Sequence, residues 1–300
     1  MGTVPRKIFD MDAGRPINTT SSARRRRSRM LALLALVGTL AILFPFLWIV
    51  LSSFRDPQNF LTLDLRDALP RSLDLSSYRL ALGRTDLFSW VGNSLLVAAS
   101  TTVLSLLVSA PAAFALSRLE FRGKAAVQWF SMISYAVPSI IIVVPLFLIL
   151  VKLDLNNSYA GLILVHATFT IPFATWVLRD FYRSIPPDLE EAAYVDGANL
   201  LQVLRHIVLP LSIPGLLAAG SYAFILSWND FLFALVIMDE AAAYTAPVGV
   251  HAYFTGRFLG ESTWAQLMAA SSIVSLPSVL LFGFFQRYLV SGFLRSGVKG

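Results

Sequence analysis

The sequence predicts an all-α integral membrane protein with six transmembrane helices. Three observations carry that reading. Charged residues make up only 14% of the 300 residues, and the mean hydropathy is +0.67, well outside the range of soluble chains. Six stretches lack Asp, Glu, Lys and Arg over lengths that match the roughly 20 residues a helix needs to cross about 30 Å of hydrocarbon. Proline and small residues recur inside these stretches, where lipid-embedded helices tolerate them and soluble helices do not.

In order, the uncharged runs are Met30 to Phe54, Leu87 to Ser117, Ala125 to Val151, Leu155 to Leu178, Ile207 to Asn229 and Ser262 to Gln286. They predict spans of about 30–52, 87–117, 125–151, 157–179, 209–237 and 263–286, within a transmembrane domain of 30–290. An even number of spans puts both termini on one side. With the N-terminus inside, 17 of the 24 Lys and Arg fall in inside segments, which assigns both termini to the cytoplasm by the retention of basic loops. Arg24 to Arg27 and Arg29 lead the first span as a topology signal. That run is too long for the hydrophobic region of a cleaved signal peptide, and arginines beside a span call for no nucleic-acid partner.

The connecting segments are polar and short. Residues 1–29 are expected to lack fixed structure. The outside loop from Arg55 to Asp86 has room for a short helix or two, with Pro57 and Pro70 as breakers. LEFRGK (119–124) and KLDLNNS (152–158) read as tight turns, and Asp239 to Glu261 as a longer outside segment. Pro45, Pro111, Pro138, Pro145, Pro172, Pro210, Pro214 and Pro277 interrupt the spans. Each removes a donor and crowds the preceding turn, so the spans are either ordinarily irregular or parts of a moving, cavity-lining bundle. SAPAAFALS (109–117) and AAGSYA (218–223) supply small residues for close helix packing.

One polar stretch stands apart, EEAAYVDGANLLQVLRHIVLPL, from Glu190 to Leu211. Ser184-Ile185-Pro186-Pro187 stops the fourth span and offers Pro187 as the first residue of a new helix. Asp188, Glu190 and Glu191 then sit in its first turn, complementing the helix dipole. Asp196-Gly197 breaks the helix after about two turns, since glycine takes the left-handed conformation that closes helices. A second short helix from about Asn199 to Val208 puts Leu200, Val203, Leu204 and Ile207 on one face and Asn199, Gln202 and His206 on the other, and Pro210 ends it. The product is a helical hairpin outside the bilayer with an acidic end offered to a partner. A helix lying on lipid would instead carry Lys and Arg on its polar face.

Glu191-Ala192-Ala193, three residues, Gly197, nine residues and Ile207-Val208-Leu209-Pro210 resemble the EAA loop of the membrane subunits of binding-protein-dependent ABC importers. SSYRLAL, WVGNSLLVA, LEFRGK, SWNDFLFAL and the terminal SGVKG extend the likeness to the carbohydrate branch, the maltose-type (MalG-like) permeases. The resemblance implies the type I (MetI-like) permease fold, with the EAA loop at 186–210 and a cytoplasmic tail at 291–300. It implies a half-pore in a bacterial cytoplasmic membrane. This half-pore pairs with a second, homologous (MalF-like) permease subunit, a cytoplasmic ATPase dimer holding ATP and Mg, and an outside solute-binding protein that delivers a sugar. It assigns ATPase coupling to Glu190, Glu191, Ala192, Ala193, Asp196, Gly197, Ile207, Leu209 and Pro210, with Glu191 pairing with a basic ATPase residue and Gly197 forming the bend. The tail departs from the family at Leu294-Arg295, where small residues are usual.

The chain has no phosphate-binding glycine loop, so no ATP hydrolysis or cofactor of its own is expected. His166, His206 and His251 lie on different segments without metal-ligand spacing, and no Cys is present. Asn229 and Asp230, deep in the fifth run, either line or gate the sugar path or cap a helix near its outer end. The runner-up functions are an ion-coupled secondary transporter, which calls for inverted repeats with intramembrane charges, and a membrane enzyme, which calls for a convergent polar cluster. Neither mark is visible in the sequence.

Overall fold

The computed structural model describes residues 20–56, 70, 73–133, 137–255 and 261–297, and all regular elements among them are helical. The chain divides into two units, residues 1–48 and 49–300. The first helix, α1 (Thr20–Ser52), contains a 25-residue apolar segment, Ser28–Ser52, and runs through Pro45. It begins ten residues earlier than the sequence reading placed order, because Ser and Arg after Thr20 extend a helix as readily as they fill a tail. Residues 1–19 lie outside the described set.

In the second unit come α2 (Ser76–Arg84), α3 (Leu87–Arg118), α4 (Lys124–Ile133), α5 (Ser139–Lys152), α6 (Tyr159–Arg183), α7 (Asp188–Val195), α8 (Leu200–Val203), a π turn (Leu204–Val208), α9 (Leu209–Leu211), α10 (Ile213–Trp228), α11 (Leu232–Ile237), α12 (Ala246–Thr255) and α13 (Glu261–Gly297). Asp74 starts α2 by accepting from the Ser76 N–H and hydroxyl, at 2.8 and 2.9 Å. Gly123, at φ +92°, turns the chain between α3 and α4. Asp154 and Asn157, also at positive φ, turn it between α5 and α6, and Ser158 caps α6 by accepting from the Gly161 N–H at 3.1 Å.

The centre is α3 packed along α6, with α10 against both. Small residues make this possible, since lipid supplies no hydrophobic drive between helices. Ser105, Ser109, Ala110 and Ala113 of α3 meet Thr170 and Ala174 of α6 and Ala218, Ala219, Gly220 and Ala223 of α10, all buried. A Cβ at Gly220 would lie 3.2 Å from the Leu106 side chain, and one at Gly215 would lie 2.8 Å from the Phe181 ring. Ser105 and Thr170 hydroxyls share a hydrogen bond of 2.6 Å across the α3–α6 seam.

Among the described residues, four helices are individually long and apolar enough to cross a membrane: Ser28–Ser52, Leu87–Arg118, Tyr159–Arg183 and Thr263–Gln286. The other two predicted runs are broken. The third falls into α4 and α5, with Pro138 as the residue preceding α5; the proline ring keeps Val137 out of the helical region. In the fifth, α10 has 16 residues, roughly 24 Å of helix, and a break at Asn229–Phe231 precedes the six residues of α11.

Pro210 does not end the second helix of the polar stretch. The helix continues to Leu211 and turns by 80° at Ser212, whose N–H still reaches the Val208 carbonyl at 3.0 Å. The π turn before Pro210 widens the coil, which moves the carbonyls of the preceding turn away from the proline ring. The five prolines at 45, 111, 145, 172 and 277 all lie inside continuous helices. At the other end, α13 runs on to Gly297, through most of the expected tail, and residues 298–300 lie outside the described set.

Candidate coupling hairpin and the break in the fifth span

The hairpin from Pro186 to Leu211 is built by local rules. Pro187, expected as the first helical residue, stands as the cap instead, so α7 begins one position later, and Asp188, Glu190 and Glu191 fill the first turn. Asp196 closes α7 and Gly197 takes φ +87°, letting the Ala198 N–H fold back on the Ala193 carbonyl at 2.9 Å. Asn199 then opens α8 with a reciprocal capping box. Its side chain accepts from the Gln202 N–H at 3.0 Å, and Gln202 Oε1 accepts from the Asn199 N–H at 2.8 Å. The sequence reading missed this box, although Asn199-x-x-Gln202 is its signature.

Val203, Leu204 and Val208 are buried, and they share one apolar core with Ala110, Ala113 and Phe114 of α3, with Ala174, Leu178 and Tyr182 of α6, and with Ala219. Asn199, Gln202 and His206 are exposed, as the helical period requires. Leu200, assigned to the apolar face, is exposed instead: it opens α8, and the buried stripe begins only at Val203. Ile207 and Leu209 are half-buried and Pro210 is exposed.

The two adjacent glutamates face opposite ways. Glu191 is exposed, beside exposed Ala192, and Ala193 is half-buried. Glu190, grouped with Glu191 among the residues expected to couple to the ATPase, is buried at 3% exposure and turned into the bundle. Its partner is Arg118, the last residue of α3. Arg118 Nη2 lies 2.6 Å from Glu190 Oε1, and Nε donates to Oε1 and Oε2 at 2.8 and 3.0 Å. The same Nη2 donates to the carbonyls of Tyr182 and Ile185, at 2.8 and 3.1 Å, around the end of α6. Phe114 and Tyr182 meet edge to face nearby, with centroids 6.5 Å apart. Burial, and less strongly the charge of Glu190, push the Tyr194 phenol above its ordinary range, with Arg118 pulling the other way. The hairpin also exposes Leu189, Tyr194, Val195 and Leu201, along with Asp188 and Asp196.

At the break in the fifth span, Asn229 is exposed and its amide donates to the Ile225 carbonyl at 2.9 Å, closing α10. Asp230 is turned inward. Its carboxylate accepts from the N–H groups of Phe233 and Ala234, at 3.4 and 3.0 Å, so it caps α11. Asp230 Oδ2 also lies 3.2 Å from His166 Nε2 of α6. The other ring nitrogen, Nδ1, is 2.8 Å from the hydroxyl of Ser227, and Trp228 Nε1 donates to the Val274 carbonyl of α13 at 3.2 Å. Both residues thus bond at helix ends, Asn229 at the close of α10 and Asp230 at the start of α11. No cluster of three or more His, Asp or Glu with metal-binding geometry occurs among the described residues.

Beyond the break, the segment to α12 is pinned to the start of α3. Trp90 Nε1 donates to Ala241 O at 3.1 Å, Asn93 Nδ2 to Ala242 O and Tyr244 O at 2.9 Å each, and Ser94 Oγ accepts from the Ala246 N–H at 2.8 Å. Gly249 of α12 lies flat on the Trp90 indole, where a Cβ would come within 2.1 Å of the ring.

Comparison with known proteins agrees with this architecture. The chain is 35% identical over 268 residues to the trehalose/maltose transport system permease protein MalG of Thermococcus litoralis, covering 89% of this chain and 95% of that one. It is 37% identical over 272 residues to the trehalose transport system permease protein SugB of Mycobacterium tuberculosis, covering 89% and 97%. The fold matches a chain of a bacterial ABC transporter involved in the import of the acidic polysaccharide alginate, with a TM-score of 0.77 and 23% identity over 91% of this chain and 99% of that chain. Residues 105–295 match the family described as binding-protein-dependent transport system inner membrane component. With the capped hairpin, the small-residue bundle and these relatives together, the chain belongs to that family, the multi-pass permease subunits of ABC importers.

Proposed function

We propose that this chain is one half of the translocation pore of an ATP-driven sugar importer, coupled to a cytoplasmic ATPase dimer through the α7–α9 hairpin. The observation that carries the coupling is the hairpin tip. Glu191 and a set of apolar side chains are exposed on an arm whose other face is locked into the α3–α6 core. Exposed apolar side chains and carboxylates together on an arm anchored by its other face suit a protein partner with a matching cleft and a basic residue. The chain has no phosphate-binding loop, so hydrolysis falls to that partner, with ATP and Mg bound there.

The remaining features of the reading follow from charge and length. Six spans, counting the two broken runs, and the basic inside segments put both termini and the hairpin in the cytoplasm. The opposite face, with the pinned 239–255 segment, then meets the solute-binding protein, and a second homologous permease subunit completes the pore. The sugar assignment rests on relatives whose names specify trehalose and maltose transport.

Two experiments test these points. Glu191→Arg and Gly197→Pro should abolish ATPase association and uptake while membrane insertion persists; normal uptake in both would sink the coupling reading. Purifying the intact complex with its binding protein, and screening that protein by thermal shift, should give a response to sugars. A response only to amino acids or peptides would overturn the sugar assignment.

A further inference from the structure

Glu190 and Glu191 are neighbours, about 100° apart around α7 by helix geometry, and they are put to different uses. Glu191 is on the surface, and Glu190 is held by Arg118. Three elements meet at that one guanidinium: α3, which Arg118 terminates; α6, through the Tyr182 carbonyl in its last turn, with the Ile185 carbonyl just past its end; and α7, through Glu190. The second arm of the hairpin is attached differently. Val203, Leu204 and Val208 are held by apolar packing, which is non-directional and permits sliding. A forked, charge-assisted contact fixes both distance and direction.

We propose that Arg118 is a positioning residue for transport, the junction through which movement of α7 is delivered to α3 and α6 together. The proposal rests on the reading of α7 as the ATPase-docking helix. A push on Glu191 turns or tilts α7. Glu190 carries that displacement to Arg118, and Arg118 moves the ends of two helices that run back through the bundle, 32 and 25 residues long. Without the fork, the hairpin stays docked and packed, but its motion is taken up by slip between apolar surfaces. ATP hydrolysis then continues without matching movement of the bundle.

The test uses the intact complex of this chain with its partner permease and ATPase. The chain has no cysteine, so Ser89→Cys places a single reactive thiol at an exposed position in the first turn of α3, at the end far from Arg118. The readout is its labelling rate with a maleimide, with and without Mg-ATP and vanadate, measured beside ATPase association and ATP hydrolysis. Arg118→Gln and Glu190→Gln should keep the ATPase bound and hydrolysing, while the ATP-dependent change in labelling falls by about fivefold or more. Arg118→Lys keeps the charge but loses the fork, and should restore part of the response. An unchanged labelling response in both Gln variants would overturn the proposal. So would loss of the ATPase from them, because Arg118 would then only maintain the docking surface. Glu191→Arg separates the two readings. If that variant still binds the ATPase, the docking reading fails; if it releases the ATPase while Arg118→Gln responds normally, only the role of Arg118 fails.

Discussion

His166 of α6 and Asp230 at the break of the fifth span lie 3.2 Å apart, with side chains 1% and 11% exposed. The pair joins a continuous helix to a broken one. It also couples two jobs, because the same carboxylate caps α11. Asp230→Asn keeps an oxygen for the cap but removes the charge facing His166, whereas Asp230→Ala removes both. Loss of the cap alone is worth about 1 kcal/mol. Thermal unfolding of the purified subunit in detergent should therefore order the variants wild type, Asn, Ala, from most to least stable, and equal stability of Asn and Ala would contradict the capping role.

Gly249 has no room for a side chain against Trp90, where a Cβ would sit 2.1 Å from the ring. Trp90 is itself tied to the Ala241 carbonyl, so it cannot swing aside without losing that bond. Gly249→Ala should destabilise the protein by about 1–3 kcal/mol through overpacking. Adding Trp90→Ala in the same chain should recover space for the methyl group, and the two changes should cost less together than their sum, a double-mutant cycle read by thermal unfolding.

Gly197 sits at φ +87° with open space around its Cα, so substitution there tests backbone conformation and not packing. Gly197→Ala should weaken the hairpin by about 1–2 kcal/mol, and Gly197→Asn by less, because Asn tolerates the left-handed region. Limited proteolysis between α7 and α8 should rank the cutting rates Ala, Asn, Gly from fastest to slowest.

Asn199→Ala removes one side of the capping box and should cost about 1 kcal/mol, seen in the same proteolysis assay. Asn199→Asp should restore the cap, since an Asp carboxylate accepts from the Gln202 N–H equally well.

The polar hairpin was the most legible part of the chain because its signals are local. A Pro187 start, an acidic first turn and a Gly197 stop depend only on neighbours a few residues away. The exposed face of Asn199, Gln202 and His206 followed from the helical period for the same reason. Leu200 was misread because it opens α8, one turn before the buried stripe begins at Val203, and Pro210 because a π turn precedes it. The π turn has no strong sequence signal, and the bend comes after it, at Ser212.

Glu190 illustrates a different limit. Nothing in its immediate sequence distinguishes it from Glu191, and the distinction came from Arg118, 72 residues earlier in the chain. His166 and Asp230 are likewise separated by 64 positions in the sequence and joined only by the packing of α6 against the break.

Composition, apolar run length and charge asymmetry by themselves determined that this is a helical membrane protein, because the bilayer imposes one length and one backbone solution on any segment that crosses it. The local spacing around the EAA stretch determined where the hairpin starts and bends, because caps and turns are written in consecutive residues. Only the tertiary structure decided which carboxylate faces outward, which spans are broken and which polar groups meet inside the bundle. Those outcomes depend on contacts between helices distant in sequence, and the small residues that line them permit close approach without naming the neighbour.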